Sequence, residues 1–342
     1  MKTEFNSVTL SNDLKKKIKG KVLFDEFSRG RYSTDASLYQ IKPIGVVLPK
    51  DQFDVLNIIE YSQKNSIPLL ARGGGSSQCG QTVGECIVLD YSKYQNKILE
   101  FNAKEKFVWV EPGIVLDQLN EYLKPHGLWF PVDVSTSSRA TIGGMTGNNS
   151  CGSRSLYYGN MVNNVLAVES ILDDGSIHTF ENIDKNYLSK TNDQNRKFQI
   201  IKKCIDIREQ VENEINEHWP KTQRRVGGYN IDLINPNGFN SSNILVGSEG
   251  TLSLFNKIKL KLSEIPKKKI LGVCYFEKFH EAMTLTREMV KLKPTTVELM
   301  DKNLLDLAKE IPIYADGIKK YVIGDPKAVL MVEFIDLSLI HI

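Results

Sequence analysis

Ala71-Arg72-Gly73-Gly74-Gly75-Ser76-Ser77-Gln78-Cys79-Gly80-Gln81 is the stretch on which the reading of the fold turns. It lies between two short apolar runs, 67–71 and 86–90, that read as strands. A further apolar run at 44–48 precedes Asp51, which can cap a helix where Phe53, Leu56 and Ile59 recur at helical spacing beside Val55 and Ile58. Strand, helix, strand, glycine loop, strand is the order of βαβ pairing. Three glycines after a strand let the backbone turn sharply and present successive N–H groups to an anion. With hydroxyls alongside, a pyrophosphate could be cradled there without much net charge. The run is no G-x-G-x-x-G fingerprint, because no helix follows, and no P-loop, because no Gly-Lys-Ser/Thr follows. Taken alone, it reads equally well as a flexible surface loop.

The same grammar continues downstream. Residues 107–110 read as a strand closed by Pro112-Gly113, then a helix carries Leu116, Leu119 and Leu123 on one face, with Gly127 at its end. The stretch 133–160 is a long polar loop dense in Gly, Ser, Thr and Asn, uncommon in a compact domain unless it has a function. It contains Ser135-Thr136-Ser137-Ser138-Arg139-Ala140-Thr141-Ile142-Gly143-Gly144-Met145-Thr146-Gly147-Asn148-Asn149-Ser150-Cys151-Gly152. Its glycines allow backbone to approach a flat or charged ligand, and Asn148 and Asn149 offer donors and acceptors. A hairpin is predicted over 165–180, turning at 173–176, and a charged helix over 193–217. A third motif, Val246-Gly247-Ser248-Glu249-Gly250-Thr251-Leu252, leads into an alternating strand over 251–262. Three such loops at strand edges point to one long ligand that crosses all of them.

From Lys267 the pattern becomes strands at 269–276, 295–300 and 328–334 with helices at 279–292 and 304–311, the opening of a second α+β domain. Residues 337–342 read as a closing strand or, as the favoured expectation, an early stop that leaves a sheet edge unpaired. The chain of 342 residues is long enough for two domains, and 41% hydrophobic with 25% charged residues excludes wholesale disorder. Lys and Arg number 44 against 41 acidic residues, too even a balance for nucleic acid as default partner. With no apolar run of the roughly 18–20 residues a bilayer span needs and a polar N-terminus, a cytoplasmic location is expected, with the periphery of the inner membrane as an alternative. Cys79, Cys86, Cys151, Cys204 and Cys274 form no C-x-x-C pair, and the five histidines lack metal-ligand spacing, so no metal site is expected.

The order Arg72-Gly-Gly-Gly-Ser…Gly80-Gln81, Val88-Leu89-Asp90, Pro112-Gly113, Ile142-Gly143-Gly144…Asn148…Gly152…Tyr158-Gly159 and Gly247-Ser248-Glu249-Gly250-Thr251-Leu252 resembles the FAD-binding domain of the vanillyl-alcohol-oxidase / p-cresol-methylhydroxylase (PCMH) type. Within it the chain looks like the D-lactate dehydrogenase, glycolate oxidase and D-2-hydroxyglutarate dehydrogenase branch, over roughly residues 30 to 335. Glu298-Leu-Met-Asp301 and the helix after it resemble the start of that group's substrate domain. The implied architecture is α+β: an N-terminal extension over 1–38, a two-subdomain PCMH-type FAD-binding domain over 39–265, and a truncated ferredoxin-like cap domain over 266–342. The resemblance implies that Arg72, Gly73, Gly74, Gly75, Ser76 and Ser77, with Gly80 and Gln81, wrap the FAD pyrophosphate. It implies that Pro131, Ser135, Thr136, Ser137 and Ser138, with Thr141, Gly143 and Gly144, line the ribityl and isoalloxazine portion. Asn148 and Gly152 would pass close to the flavin, Tyr158 and Gly159 would close that motif, and Glu249 and Gly250 would lie by the adenine half. Some relatives tether FAD through a histidine in the first loop; Ser76 and Ser77 stand there instead, which implies non-covalent FAD.

The implied reaction oxidises a small D-2-hydroxy acid to the 2-oxo acid, with hydride passing to flavin N5 and electrons onward to a cytochrome, quinone or iron–sulfur acceptor. A base and a carboxylate clamp are also required. The family's histidine cluster for base and metal has no counterpart here, and His280 reads as a surface residue. Arg224 and Arg225 are candidates for meeting an anionic substrate or flavin O2, and a solvated basic turn is their equal alternative. Cys79 and Cys151 read as small packing residues rather than redox thiols. Two further readings stand beside the enzyme: a non-catalytic flavin-binding subunit that needs a partner chain, and a reductase of the UDP-N-acetylenolpyruvoylglucosamine type that would take hydride from NADPH.

Overall fold

The computed structural model describes residues 7–189 and 195–336. The first subdomain runs α1 (Ser7–Lys17), β1 (Lys21–Leu23), α2 (Glu26–Arg31), β2 (Gly45–Leu48), α3 (Gln52–Asn65), β3 (Leu69–Arg72) and β4 (Ile87–Asp90). Its sheet has the order β1-β2-β4-β3, with β2 and β3 parallel to β4 as the predicted βαβ pairing requires. Both β2 and β4 are buried along their whole length, which is why they read as unbroken apolar runs. Asp51 caps α3 by accepting from the Phe53 and Asp54 amides. The buried stripe of α3 differs from the predicted one: Val55, Ile58, Ile59 and Ser62 face the core, while Phe53 is 60% exposed under the Lys19 ammonium. Positions 55, 58, 59 and 62 are the true i, i+3, i+4, i+7 set.

Residues 7–38 are woven into this subdomain rather than standing outside it as an extension. β1 adds an antiparallel strand to β2, and Leu10, Leu14 and Ile18 pack with Val55 and Ile58 in one core cluster.

The second subdomain contains β5 (Ile98–Asn102), β6 (Phe107–Val110), α4 (Leu116–Leu123), β7 (Leu128–Trp129), α5 (Ile142–Gly147), α6 (Ser155–Tyr158), α7 (Met161–Asn164), β8 (Val165–Ile171) and β9 (Ile177–Asp184). After these come α8 (Lys185–Leu188), α9 (Arg196–Gln210), α10 (Glu212–His218), β10 (Gly238–Asn240), β11 (Leu254–Lys261) and β12 (Ser263–Glu264). Six strands form an antiparallel sheet in the order β10-β9-β8-β11-β6-β5, and β7 pairs with β12. Leu116, Leu119 and Leu123 bury their stripe on this sheet with Phe130 and Phe180. The polar stretch 133–160 is not one open loop. Thr141 caps α5 by accepting from the Gly144 amide, and Ile142 and Met145 are buried, so two apolar side chains suffice to anchor a short helix there. The charged helix expected over 193–217 is two helices meeting at Val211, and residues 190–194 lie outside the described chain.

The last unit comprises β13 (Lys268–Phe276), α11 (Phe279–Lys291), β14 (Thr296–Asp301), α12 (Lys302–Glu310), α13 (Pro312–Tyr321) and β15 (Ala328–Asp336). β15 lies between β13 and β14 and runs antiparallel to both. The segment 337–342, read as a possible closing strand, lies outside the described residues. Among the described residues no helix is long and apolar enough to cross a membrane.

Candidate functional site

The three glycine-bearing loops meet at one place, at the junction of the two sheets. The first leaves β3 and lies directly on the second. A Cβ on Gly73 would stand 2.0 Å from Thr141 Oγ1, and one on Gly74 would stand 2.2 Å from the Arg139 carbonyl oxygen. Only glycine allows that approach. The third loop is pinned to the end of α5, with the Gly247 amide donating to Thr146 O (3.0 Å) and the Glu249 amide to Gly147 O (2.9 Å).

One side chain ties all three together. Gln81 Nε2, from the first loop, donates to Glu249 Oε1 at 3.1 Å and to Asn148 Oδ1 at 3.4 Å, while Ser77 Oγ donates to Gln81 Oε1. Asn148 in turn donates to Ser150 Oγ at 2.9 Å.

The loops enclose a cavity of about 340 Å³, within the size range of small-molecule sites. Fifteen of the residues singled out from sequence line it. They are Arg72, Gly73, Gly74, Gly75, Ser76, Ser77 and Gln81 from the first loop, then Ser135, Thr136, Thr141, Gly143, Gly144 and Asn148 from the second, and Glu249 and Gly250 from the third. The amides of Gly74, Gly75, Ser76 and Ser77 donate to no acceptor among the described residues. Four consecutive N–H groups left open at a cavity wall, with Gly75 in the left-handed region at φ 63°, suit the oxygens of a pyrophosphate.

Other residues singled out lie outside the lining, and each has a local reason. Gly80 packs on the Tyr39 ring, where a Cβ would meet it at 2.6 Å. Pro131 is buried, and Ser137 and Ser138 belong to a turn whose Ser137 carbonyl accepts from the Asp117 amide. Gly152 abuts the Asp133 backbone and Gly159 the Asn163 side chain, both too close for a Cβ. Tyr158 stands edge-on to Trp129 at 5.5 Å. Arg225 forms a two-pronged pair with Asp232 at 2.8 Å and lies 4.8 Å from the Trp219 ring. Arg224 donates to Gly152 O at 2.9 Å. Cys79 is exposed rather than packed, whereas Cys151 is half-buried at the cavity wall.

Two stretches of this chain match known families: residues 43–181 match the FAD binding domain, and residues 265–337 match the C-terminal domain of FAD linked oxidases. The chain carries the domain pair of the FAD-linked oxidases. FAD is the cofactor of this protein. It is 35% identical over 293 residues to a D-2-hydroxyglutarate dehydrogenase of Haemophilus influenzae, a match that takes in 81% of this chain and 28% of the relative. A D-2-hydroxyglutarate dehydrogenase of Pseudomonas putida matches at 32% over 92% of this chain and 32% of its own length. Glycolate oxidase subunit GlcD of Bacillus subtilis matches at 26% over 92% of this chain and 57% of its own length. The chain therefore spans about a third or less of the D-2-hydroxyglutarate dehydrogenases it matches. Among solved structures, an alkyldihydroxyacetonephosphate synthase superposes with a TM-score of 0.69 at 17% identity, over 98% of this chain and 57% of that one, a likeness of fold.

The cavity carries one cation and one carboxylate in its lining, Arg72 and Glu249. Arg72 is engaged by backbone: Nη1 donates to Thr82 O at 2.9 Å and Tyr32 O at 3.3 Å, and Nη2 to Thr34 O at 2.7 Å. Its guanidinium lies 5.2 Å from the Tyr32 ring, and burial draws its pKa below the usual value. Arg72 thus shapes the first loop from behind, its guanidinium engaged by backbone carbonyls. Tyr91, Pro112, Met145, Ser253 and Phe255 also line the cavity and were not singled out as site residues. Tyr91 directly follows β4, and Ser253 and Phe255 flank the start of β11, so their signal was position beside a glycine motif. The hydroxyls of Tyr91 and Ser253 are buried without a partner, and burial raises the Tyr91 pKa.

Beyond the cavity, Arg154 joins the FAD-binding domain to the last sheet. Nε donates to Glu333 Oε1 on β15 at 3.1 Å and Nη1 to Asp133 Oδ2 at 3.2 Å. Its pKa is raised: burial lowers it, and the hydrogen bond and charge of Glu333, with Asp133 behind, outweigh that burial.

Proposed function

We propose that this protein is the flavin half of a D-2-hydroxy-acid dehydrogenase, oxidising a substrate of the D-2-hydroxyglutarate, D-lactate or glycolate class to the 2-oxo acid. The observation that carries this is the convergence of three separated glycine loops on one nearly neutral cavity, with the open amides of Gly74 to Ser77 at its wall. Bound FAD supplies the hydride acceptor. The amides would hold its pyrophosphate, the Ser135–Thr136 turn and Gly143-Gly144 would shelter its tricyclic part, and Glu249 and Gly250 would border its adenosine. Ser76 and Ser77 occupy the place of a tethering histidine, so FAD is held without a covalent bond. The relatives named D-2-hydroxyglutarate dehydrogenase favour that substrate. Electrons then pass to a cytochrome, quinone or iron–sulfur acceptor.

A second reading has one observation in its favour. No histidine lines the cavity, and the described residues contain no group of three His, Cys, Asp or Glu able to hold a metal. The base and carboxylate clamp would then come from other protein, with this chain the cofactor-binding part. Anaerobic addition of D-2-hydroxyglutarate, D-lactate or NADPH to the yellow protein separates the readings. Bleaching by a hydroxy acid supports the dehydrogenase, a yellow protein that stays oxidised supports the binding part, and bleaching by NADPH alone sinks both. Acid precipitation that leaves the pigment in solution is expected for untethered FAD.

A further inference from the structure

A second cavity, of about 370 Å³, shares no lining residue with the cofactor cavity. Lys21 of β1, Arg31 at the end of α2 and Lys93 just after β4 line it together with Tyr32, Asp90 and Ser92. Three cations therefore stand around one carboxylate, brought from separate elements by the sheet order rather than by a basic run in the sequence. That carboxylate is already occupied. Asp90 Oδ2 accepts from the Tyr32 hydroxyl at 2.5 Å, and Oδ1 accepts from the Ser92 amide at 2.8 Å and the Ser92 hydroxyl at 2.7 Å. Neither Lys21, Arg31 nor Lys93 makes an ion pair among the described residues. Lys21 pulls the Lys93 pKa below the ordinary lysine value, and the charge of Asp90 acts the other way. Three exposed cations against the single carboxylate of Asp90 leave the lining of this concavity with two positive charges in excess, which an anion would offset.

We propose that this cavity binds a phosphate group, either free or carried on a larger molecule. Arg31 brings a planar fork and the two lysines bring compact charges from other directions. A tetrahedral dianion offers acceptor oxygens to all three, whereas a carboxylate presents two oxygens in one plane. The site does not depend on the hydroxy-acid reading, and FAD already has its own phosphate cradle elsewhere.

The test is calorimetric titration of the full chain, with FAD present, by inorganic phosphate at constant ionic strength. Saturable binding is expected, weakened about tenfold or more in Lys21→Met/Lys93→Met and in Arg31→Gln, and unaltered in Lys97→Met. Two variants guard against a folding defect in either, and melting without phosphate checks both. Cosedimentation with phosphatidic-acid vesicles but not phosphatidylcholine vesicles, lost in the double variant, would place the phosphate on a lipid. Phosphate binding without cosedimentation would place it on a soluble molecule. No saturable binding by the wild-type chain in either arm, or equal binding by wild type and both variants, overturns the proposal.

Discussion

Gly74→Ala is the substitution that tests most directly how the cavity is built. The added methyl carbon would stand 2.2 Å from the Arg139 carbonyl oxygen, more than 1 Å inside the 3.4 Å where ordinary contact starts, and the obstructing atom is backbone. No rotamer change can relieve it, so the first and second loops must separate. Forced backbone shifts of this kind cost about 1–3 kcal/mol. If the loops stay closed, that energy appears as lost stability, about 2–4 °C of melting temperature per kcal/mol for a domain of this size. If they part in the free protein, FAD must draw them together again, and about 2 kcal/mol becomes roughly a 30-fold weaker Kd. Quenching of FAD fluorescence on titration, with melting curves with and without FAD, measures both routes. Gly227→Ala is the control, since nothing lies within 4 Å of its Cβ position. A Gly74→Ala protein with wild-type affinity and wild-type melting would refute the packing of one loop upon the other.

Gln81→Glu places a second carboxylate against Glu249, so FAD affinity is expected to fall, and more so at low ionic strength; an unaltered affinity would count against the cross-link. Arg154→Met removes the partner of Glu333, whose side chain is 14% exposed, and since Asp133 and solvent share the load the cost is about 1–2 kcal/mol. It should show as faster tryptic cleavage near Lys319 and Lys320 with the FAD-binding domain unaffected, and unchanged cleavage would argue that the last sheet docks without this pair. Burial pushes the Cys86 thiol up to about 12 while Cys79 is exposed, so a thiol reagent at pH 8 should modify Cys79 first and leave Cys86 until the chain unfolds.

The glycine motifs were legible because close approach of two backbones leaves no room for a side chain, and that constraint is written locally in residue type. Gly73, Gly74 and Gly143 all abut the neighbouring loop or Pro112. The same constraint also misleads. Gly80, Gly152 and Gly159 carry it for packing on Tyr39, Asp133 and Asn163, away from the cavity, and nothing in the sequence distinguishes the two uses. Strand β1 escaped notice because three residues are too few to show a period, and it is held by the edge of β2. Helix α13 was missed although Pro312 starts it, because no side chain of that helix is fully buried and hence no apolar stripe marks it. Arg72 sits in the most phosphate-like motif of the chain, yet its direction is decided by carbonyls at Tyr32, Thr34 and Thr82, which no spacing rule connects to it.

The Gln81–Glu249 hydrogen bond links residues 168 positions apart. At about 5–20 residues per second of synthesis, the earlier partner leaves the ribosome roughly 10–30 s before the later one. Until then the cavity lacks its third wall, so the proposed flavin site closes only once residue 249 has been made. Without flavin the junction between the sheets rests on these loop contacts alone, and it is there that proteases are expected to enter first.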